Sequence, residues 1–571
     1  MDDKFFLRPT HDWQRRYEAI RASFVERLPA SVVAERFGFS PGYINLLRHR
    51  FRTGQLDFSE PVPEGKVKRR RVNADIREKI CQWRERRLSS GEITELLLQD
   101  GFEISVSTVE RVLAEEGYPK LPRRTRLKIG LTVKGTKVPE RSEATTLKDL
   151  SGKRFESMGG GVFLFAPFLA QLDIHKIVRS AGLPGTQVIP ALSYFLSFLA
   201  LKLLGTERYS HAGDHSFDQG LGLFAGLNVL PKCTALSTYS YSLDAVHMFR
   251  LQKAFIKHAS QLGLYDGHLI NLDFHSSPHF GDESVLEDHW TGARGRRMKG
   301  ALTLFTQDAK SKLILYTAAD IKRSEANDQI LEFLSFWTPL YKGVKPTLIF
   351  DSKFTTYTQL AQLENDDIKF ITLRRRSPKM VAEMKAASNW TRITVPHEKR
   401  KFKHPYVREM TVDIETYPEP MRQIVMRGTG REKPTFIITN DFDMPIALVV
   451  SNYCRRWRIE NGISEAIKFF HLNSLSSPIL VKVHFDVAMT MIADTLYYML
   501  ARHLRGFEDC DAPKLYRHFV QGKATVAVQG NDLTVTFPRR AHNPILRNVP
   551  WDRFPVSLPC YPHSRLSLRF L

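Results

Sequence analysis

The sequence predicts a multidomain α/β protein, helical at its N-terminal end and built of mixed strands and helices from about residue 263. Its 571 residues are too many for a single hydrophobic core, so several domains are expected. In the first 125 residues, apolar positions recur at helical spacing between Gly and Pro breaks. From His268 onwards they form short strand-like runs that end in acidic or turn residues.

The charge balance is strongly basic. The chain has 83 Lys and Arg against 61 Asp and Glu, a formal net charge of +22 at pH 7. This excess favours a polyanionic partner, most commonly nucleic acid, and a basic protein without a specific anion is the alternative. The five cysteines are scattered without a CxxC pair, which argues against a disulfide framework or zinc site and fits a reducing cytoplasm.

No membrane segment or signal peptide is expected. The N-terminus, MDDKFFLRPTHDW, lacks a basic start followed by an apolar run. The most apolar stretch, Val188–Leu204, is interrupted by Pro190, Ser193, Ser197 and Lys202, so it predicts a core helix rather than a membrane span. We therefore expect a cytoplasmic protein without a membrane partner.

Residues 1–60 are expected to form a helix-turn-helix unit. Apolar residues at helical spacing lead to Gly38, which can end one helix, and Ser40 and Pro41 can begin the next. An ordinary helical hairpin with a basic solvated face is the alternative. The second helix carries side chains that suit contacts with bases and phosphates: Tyr43, Asn45, Arg48 and Arg50.

Residues 73–125 are expected to form a second such unit, with helices Ala74–Arg87, Ser90–Gln99 and Ser105–Glu116. Ser107 and Thr108 would open the third helix, and with Arg111 they are the candidate DNA contacts of this unit. Basic residues on either side are expected to contact phosphates without reading base sequence: Arg69, Arg70, Arg71, Arg123 and Arg124.

Composition divides the rest of the chain. In chain order we predict a linker (126–155), an apolar helical domain without a chemical motif (156–262), a first α/β part (263–376), a polar, basic, β-rich insertion without a strong helix (377–435), a second α/β part with long helices (436–505) and a C-terminal region with a hairpin turning at Gly530-Asn531-Asp532 (506–571).

Two acidic residues come at the predicted ends of apolar strands. They are Asp273 in LINLDFH and Asp351 in TLIFDSK. A carboxylate beside an apolar strand needs a cation, a hydrogen-bond network or water, because burying it unpaired is costly. Each taken singly is more often a strand-end cap or a turn residue.

A third acidic residue lies in a predicted helix. Tyr453, Arg456 and Glu460 are spaced i, i+3 and i+7, so they lie along one helix face. The alternative is an exposed Arg456–Glu460 ion pair, which would stabilise little.

The helix motif Y-x-x-R-x-x-x-E resembles the signature of bacterial transposases of the insertion-sequence 4 family. The order Asp273, Asp351, Glu460 with a long insertion before the Glu is similar to that family's arrangement, and ISVSTVERVLAEEGYPKLPRR resembles the second helix-turn-helix of many such proteins. The resemblance covers about residues 265–505 well. It implies an RNase H-like mixed-sheet catalytic domain, with 377–435 as the family's β-rich insertion. One departure is that the Lys expected seven residues after the Glu is Ile467 here, with Lys468 next to it.

The resemblance implies a DNA transposase with Asp273, Asp351 and Glu460 as catalytic metal ligands. Three carboxylates would hold two Mg²⁺ ions, with Mn²⁺ as a substitute, and Asp273 would bridge them. Its partners would be double-stranded DNA, both terminal repeats and target, and a second copy of the chain in the synaptic complex. The expected DNA contacts near the site are Tyr453, Arg456, Lys468, Arg294, Arg296 and Arg297.

Two other functions share most of these features. One is a former transposase kept as a non-catalytic DNA-binding regulator, and the other is an RNase H-like nuclease that cuts without joining. The presence of all three acidic residues favours an enzyme over the regulator, and two sequence-reading units argue against a nuclease that needs no defined end.

Overall fold

The computed structural model describes residues 11–58, 72, 74–86, 88–119, 121, 140–280, 286–291, 295–340, 343, 345–354, 356–395, 404–430, 432–475 and 479–571. The chain forms two compact units, Met1–Thr136 and Lys137–Leu571. Six of the predicted DNA contacts lie outside the described residues: Arg69, Arg70, Arg71, Arg123, Arg124 and Arg294.

The first small core of the N-terminal unit is enclosed by three helices, α1 (Asp12–Phe24), α2 (Ala30–Phe37) and α3 (Pro41–Arg52). Gly38 ends α2 with φ 70°, a left-handed conformation that glycine adopts without strain. Ser40 caps α3 by accepting a hydrogen bond from the Tyr43 N–H. Both predictions about this turn are confirmed, and α1 is a third helix outside the predicted motif.

A second small core in this unit is enclosed by α4 (Ala74–Glu85), α5 (Ser90–Gln99) and α6 (Val106–Glu115). The prediction that Ser107 opens the third helix is wrong. Ser105 is its N-cap, because the Ser105 Oγ accepts a hydrogen bond from the Thr108 N–H. Ser107 is exposed in the first turn, and Arg111 is exposed further along.

The predicted linker is wrong for residues 140–155, which are packed. The Ser142 hydroxyl donates to the Leu230 carbonyl in a buried position at 2.7 Å. A short helix α7 (Leu147–Leu150) follows, and strand β1 (Arg154–Ser157) pairs with a strand near the C-terminus. Leu147, Leu150 and Phe155 in this stretch belong to the main hydrophobic core, so the segment is not an extended linker.

The helical region that follows is predominantly buried. Its helices are α8 (Ala166–Gln171), α9 (Ile174–Ala181), α10 (Ala191–Leu203), α11 (Gln219–Phe224), α12 (Cys233–Tyr239) and α13 (Ala245–Gln261). Among the described residues, no single helix is long and apolar enough to cross a bilayer. Only the bent pair Gly160–Gln171 and Ile174–Ala181 reaches that length and composition together, and its apolar side chains are buried in the core.

A mixed sheet forms the centre of the second unit, Lys137–Leu571. Its strands and the helices between them are β2 (Leu269–Pro278), β3 (Asp288–Thr291), β4 (Arg296–Asp308), β5 (Ile314–Ile321), α14 (Gln329–Trp337), β6 (Thr347–Ile349), α15 (Tyr357–Asn365) and β7 (Lys369–Leu373). The strands β5, β4 and β2 are antiparallel neighbours, and β6 and β7 run parallel to β2 on its other side. The order β5-β4-β2-β6-β7 is that of RNase H-like folds, which confirms the predicted fold class.

The predicted insertion extends this sheet. It contains α16 (Pro378–Ala386), β8 (Thr391–Arg392), β9 (Tyr406–Val412), β10 (Met421–Arg427) and, at its end, β11 (Thr435–Thr439). β11 pairs with β7, and β10, β9 and β8 follow outward. The expectation of no strong helix is wrong for α16, which starts with Ser377 as N-cap and Pro378 as first residue.

The C-terminal part supplies further helices that pack with the main sheet, and three strands of a second sheet. Its elements are α17 (Ile446–Arg455), α18 (Trp457–Phe469), α19 (Leu480–Ala501), α20 (Ala512–Leu515), β12 (Ala524–Gln529), β13 (Asp532–Phe537), α21 (Asn543–Arg547) and β14 (Arg565–Phe570). The predicted hairpin is confirmed, with Gln529 facing Asp532 across the turn. The second sheet has the order β1-β12-β13-β14, so the helical region and the C-terminal region share one sheet.

Candidate active site

The two aspartates follow the same cross-strand pair of the adjacent parallel strands β2 and β6. That pair is Asn271 and Ile349, on strands about 4.8 Å apart. Asp273 lies two residues further along β2, and Asp351 lies two residues after Ile349, just beyond the end of β6. The Asp351 carboxylate is close enough to raise the pKa of Asp273. Asp273 lies in the middle of β2, which corrects the predicted strand end, because β2 continues to Pro278 along β4.

Asp351 begins a tight turn directly after β6. Its Oδ1 accepts a hydrogen bond from the Ser352 N–H at 2.6 Å. The turn is fixed to β2 by stacking of Phe354 on Phe274, with ring centroids 4.0 Å apart. Asp351 therefore caps a turn and also lies near Asp273, so it can be both a turn residue and a residue of the site.

The predicted helix with the Tyr/Arg/Glu motif is two helices that meet at Arg456. α17 ends at Arg455 and α18 starts at Trp457. The Arg456 guanidinium is 13% exposed and donates through Nη2 to Glu460 Oε1 at 2.7 Å and through Nη1 to Asp273 Oδ2 at 3.1 Å. The Arg456–Glu460 ion pair of the alternative is present, but it is not an isolated surface pair, because the same guanidinium is largely buried and also binds Asp273 on the sheet.

The charges of Glu460 and Asp351 affect the pKa values of both Asp273 and Arg456. Burial raises the pKa of Asp273, the Arg456 guanidinium lowers it, and the carboxylates of Glu460 and Asp351 raise it further, leaving the pKa above its ordinary value. Burial would lower the pKa of Arg456, but these three carboxylates and Tyr453 outweigh it and raise that pKa. Arg456 therefore forms ion pairs with Asp273 and Glu460, and the Asp351 carboxylate adds to the negative charge around it.

Tyr453 lies on the last turn of α17 and is half-buried. It packs against the small core between the outer strands of the sheet and α17. Burial raises the pKa of its hydroxyl to about 12, so the phenol stays protonated at neutral pH. The ring contributes to packing, and its hydroxyl remains within the field of Arg456 and Asp351.

The displaced lysine points away from the core. Lys468 is exposed on the last turn of α18, whereas Ile467 packs against the main core. The eight residues from Glu460 to Lys468 span about 12 Å of helix at 1.5 Å per residue. The structure does not bring Lys468 together with the three acidic residues.

Arg296 and Arg297 are exposed at the start of β4. Phe305 pairs with Asp273, and side chains alternate along a strand, so Arg297 shares the Asp273 face while Arg296 has the opposite face. Eight residues separate Arg297 from Phe305, which is about 26 Å along the strand. These two arginines are therefore remote from the three acidic residues.

Two further polar residues, not among those predicted, lie on the face of the sheet that carries Asp273. Asn271 and Gln307 are buried and pair across β2 and β4 on the Asp273 face. Within the described part of the chain, both side-chain polar atoms of Asn271 and the Oε1 of Gln307 have no hydrogen-bond partner. A hydrogen bond of 2.7 Å joins His275 Nε2 to Asn473 Oδ1 after α18. The signal was available, because Asn271, Asp273 and His275 alternate along an apolar strand.

The N-terminal candidates belong to the other unit and differ in exposure. Asn45 is exposed on α3, and Tyr43 and Arg50 are half-buried. The Arg48 guanidinium donates to the Leu28 carbonyl at 2.6 Å, so this side chain is occupied within its own unit.

The residues at the site fit a divalent cation by their chemistry. Three carboxylates are hard oxygen donors, and the pKa of Asp273 is raised first by burial and then by the Glu460 and Asp351 carboxylates, a cost to its charged form that a bound cation would relieve. Among the described residues, no three His, Cys, Asp or Glu side chains lie close enough together to hold one ion, and the Arg456 guanidinium stands between Asp273 and Glu460. Binding a metal here requires that guanidinium to move.

Comparison with known proteins gives one family match. The family model described as transposase DDE domain matches residues 259–496. No curated protein matches the chain significantly. Among solved structures, the crystal structure of the Mos1 strand transfer complex is 12% identical, covering 64% of this chain and 78% of that chain with a TM-score of 0.13. A TM-score this low does not support a shared fold, so the RNase H-like assignment rests on the strand order and pairing described above.

The matched range begins in α13 and ends in α19. It supports a transposase function for the chain. Residues 259–496, which include Asp273, Asp351 and Glu460, are similar to the transposase DDE domain family.

Proposed function

We propose that this chain is a DNA transposase of the DDE type, similar to the insertion-sequence 4 family, that cleaves DNA at transposon ends and joins the freed ends to target DNA. The observation that carries the proposal is that Arg456 bridges Asp273 and Glu460, with the Asp351 carboxylate acting on the same charges, inside the range that matches the DDE domain.

Asp273, Asp351 and Glu460 would hold two divalent ions, Mg²⁺ or in its place Mn²⁺. Such ions activate an attacking oxygen and stabilise charge on the leaving oxygen of a phosphodiester. The oxygen-only donor set, with no cysteine and no histidine cluster, supports hard cations of this kind.

The chain's own residues prepare this site before DNA arrives. The aspartates are held by the sheet, and Arg456 keeps Glu460 turned toward Asp273. When DNA binds, Arg456 exchanges a carboxylate for a phosphate, since guanidinium groups bind both with the same bidentate geometry. Tyr453, with its protonated hydroxyl, would donate a hydrogen bond near the end of the transposon.

The partners would be double-stranded DNA and a second copy of the chain. Asn45, Tyr43 and Arg50 on α3, and Ser107, Thr108 and Arg111 on α6, would read or contact the terminal repeats. The net charge of +22 supports binding along the DNA backbone, including by Lys468, Arg296 and Arg297. We place this activity in the bacterial cytoplasm, on DNA, with two protomers in the synaptic complex.

A strand-transfer assay tests the proposal, using labelled duplexes taken from the DNA on either side of the gene and a supercoiled target plasmid. Cleavage followed by joined product supports a transposase. Nicks without joined product would support the RNase H-like nuclease instead, and specific end binding without any product would support the non-catalytic regulator.

A further inference from the structure

The end of the glutamate-bearing helix α18 is held by a buried lysine from the helical region. Lys202 lies on α10 with only 4% of its side chain exposed. Its ammonium donates to Asp486 Oδ2 at 2.8 Å and to the Phe470 carbonyl at 2.9 Å. A buried ammonium is costly unless it is paired, so its position is tightly defined by these partners.

Phe470 is the C-cap residue of α18. Carbonyls at the end of a helix lack partners within the helix, and positive charge is favoured there by the helix dipole. Lys202 supplies both a donor and a charge at this point. Asp486 on α19 completes the network by also accepting a hydrogen bond from the Tyr209 hydroxyl.

The four residues that follow this cap connect α18 to the helical region and to β2. A hydrogen bond of 3.1 Å joins His471 Nε2 to the Gly205 carbonyl, just beyond α10. Gly205 lies so close to α18 that a Cβ there would be 2.9 Å from the Phe469 ring. Asn473 contacts His275, two residues beyond Asp273 on β2.

We infer that Lys202, acting through the Phe470 carbonyl and Asp486, is a positioning residue that sets where Glu460 stands relative to Asp273. The inference rests on the proposed catalytic role of Glu460. Glu460 is ten residues before Phe470, about 15 Å along the helix, and α18 is uninterrupted between them. Release of the anchored end would let α18 slide or rotate, and a misplacement of about 1 Å at a reacting group can cost roughly 10²-fold in rate.

This inference gives the helical region 156–262 a function, although it carries no chemical motif. α10 acts as the support against which the glutamate helix is fixed. Arg456 ties the start of α18 to Asp273 on β2, and Lys202 holds its other end, so the position of Glu460 is fixed from both directions.

The test compares Lys202→Met with Gln252→Met in the full-length chain. Lys202→Met keeps the volume and removes the ammonium. Gln252 is a matched control, because it is also buried and joins α13 to Thr317 on β5 and to His484 on α19, whereas none of its hydrogen bonds in the described part of the chain is to α18. Cleavage of a labelled transposon end is measured as kcat and KM for DNA, and Mn²⁺ binding to the free protein is measured by electron paramagnetic resonance.

We expect Lys202→Met to lower kcat at least tenfold with KM for DNA within twofold, and to weaken Mn²⁺ binding at least fivefold. Gln252→Met should change neither kcat nor Mn²⁺ binding by more than twofold, even if its Tm falls as much as that of Lys202→Met. Equal effects of the two variants would overturn the inference, because they would show a general loss of stability. If Lys202→Met does not fold, Asp486→Asn and Asn473→Ala replace it, and unchanged kcat and Mn²⁺ binding in both would overturn the inference.

Glu460→Gln separates this inference from the proposed function. If Glu460→Gln keeps full cleavage, the proposed catalytic role fails and the positioning role fails with it. If Glu460→Gln abolishes cleavage while Lys202→Met behaves like Gln252→Met, only the positioning role is overturned.

Discussion

Arg456 Nη1 lies 3.1 Å from Asp273 Oδ2, although the two residues are 183 positions apart in the chain. The same guanidinium binds Glu460, and the charge of the Asp351 carboxylate also acts on it. Divalent ions held by these carboxylates, as proposed, would compete with Arg456 for the same negative charge, and this competition can be measured.

Arg456→Gln should bind Mn²⁺ more tightly than the unaltered chain when no DNA is present. Removing a unit charge about 4 Å from a carboxylate changes its interaction by up to a few kcal/mol at an effective dielectric of about 20, and solvent compensates part of this, so we expect at least about a threefold gain. Isothermal titration with Mn²⁺ measures it. Arg458→Gln is the control on the same helix, and unchanged or weaker binding in Arg456→Gln would contradict the competition.

Asp273→Asn, Asp351→Asn and Glu460→Gln should each lower DNA cleavage at least about 10³-fold, because each removes a metal ligand and several kcal/mol of transition-state stabilisation. End binding, measured by gel shift, should stay within about twofold. Asp367→Asn is the control, since that carboxylate is exposed and pairs with Lys345. Cleavage retained by Asp273→Asn would exclude this residue from the site.

Asp494→Asn should stabilise the protein in a pH-dependent way. Burial, together with the Glu465 carboxylate, raises the pKa of Asp494 to about 7. A raised pKa in the folded state means that this group's stabilising contribution is complete below about pH 4 and is lost as the pH rises to 7. The variant avoids that loss, so its Tm should exceed the unaltered chain's by about 2 °C or more at pH 8 and by less at pH 5.

Differential scanning calorimetry at the two pH values checks this expectation. The exposed Asp509→Asn serves as the control, with no difference between pH 5 and pH 8. An Asp494→Asn gain that is the same at both pH values, or a loss at pH 8, would count against a buried carboxyl that titrates near neutrality.

Asn45→Ala and Arg48→Ala on α3 should have different effects. Asn45 is exposed, so its loss should lower affinity for the terminal repeat relative to random DNA by about tenfold, the value of a typical base contact. Arg48 donates to Leu28, so its loss should lower the Tm of the N-terminal unit. Fluorescence anisotropy with both duplexes and thermal denaturation separate these results, and a reversal of the two effects would contradict the assignment.

Much of the fold could be predicted from local pattern. Gly38 and Ser40 mark a helix end and a helix start because their backbone preferences act within a few residues. Local pattern could not predict that the insertion extends the main sheet, since the pairing of β11 with β7 depends on contacts between segments far apart in sequence. Asp273 was expected at a strand end, because nothing local to the sequence reveals that β4 keeps pairing as far as Pro278.

The sequence by itself determined the three acidic residues, the order in which they occur and the helix residues that accompany Glu460, because residue type and spacing carry that information. Only the tertiary structure decided that Arg456 bridges Asp273 and Glu460, that Lys468 is exposed at the far end of α18 and that Lys202 holds the same end of that helix. The physical reason is that a charge in a partly buried site takes its partners from whichever elements pack around it, and those elements come from every part of the catalytic unit.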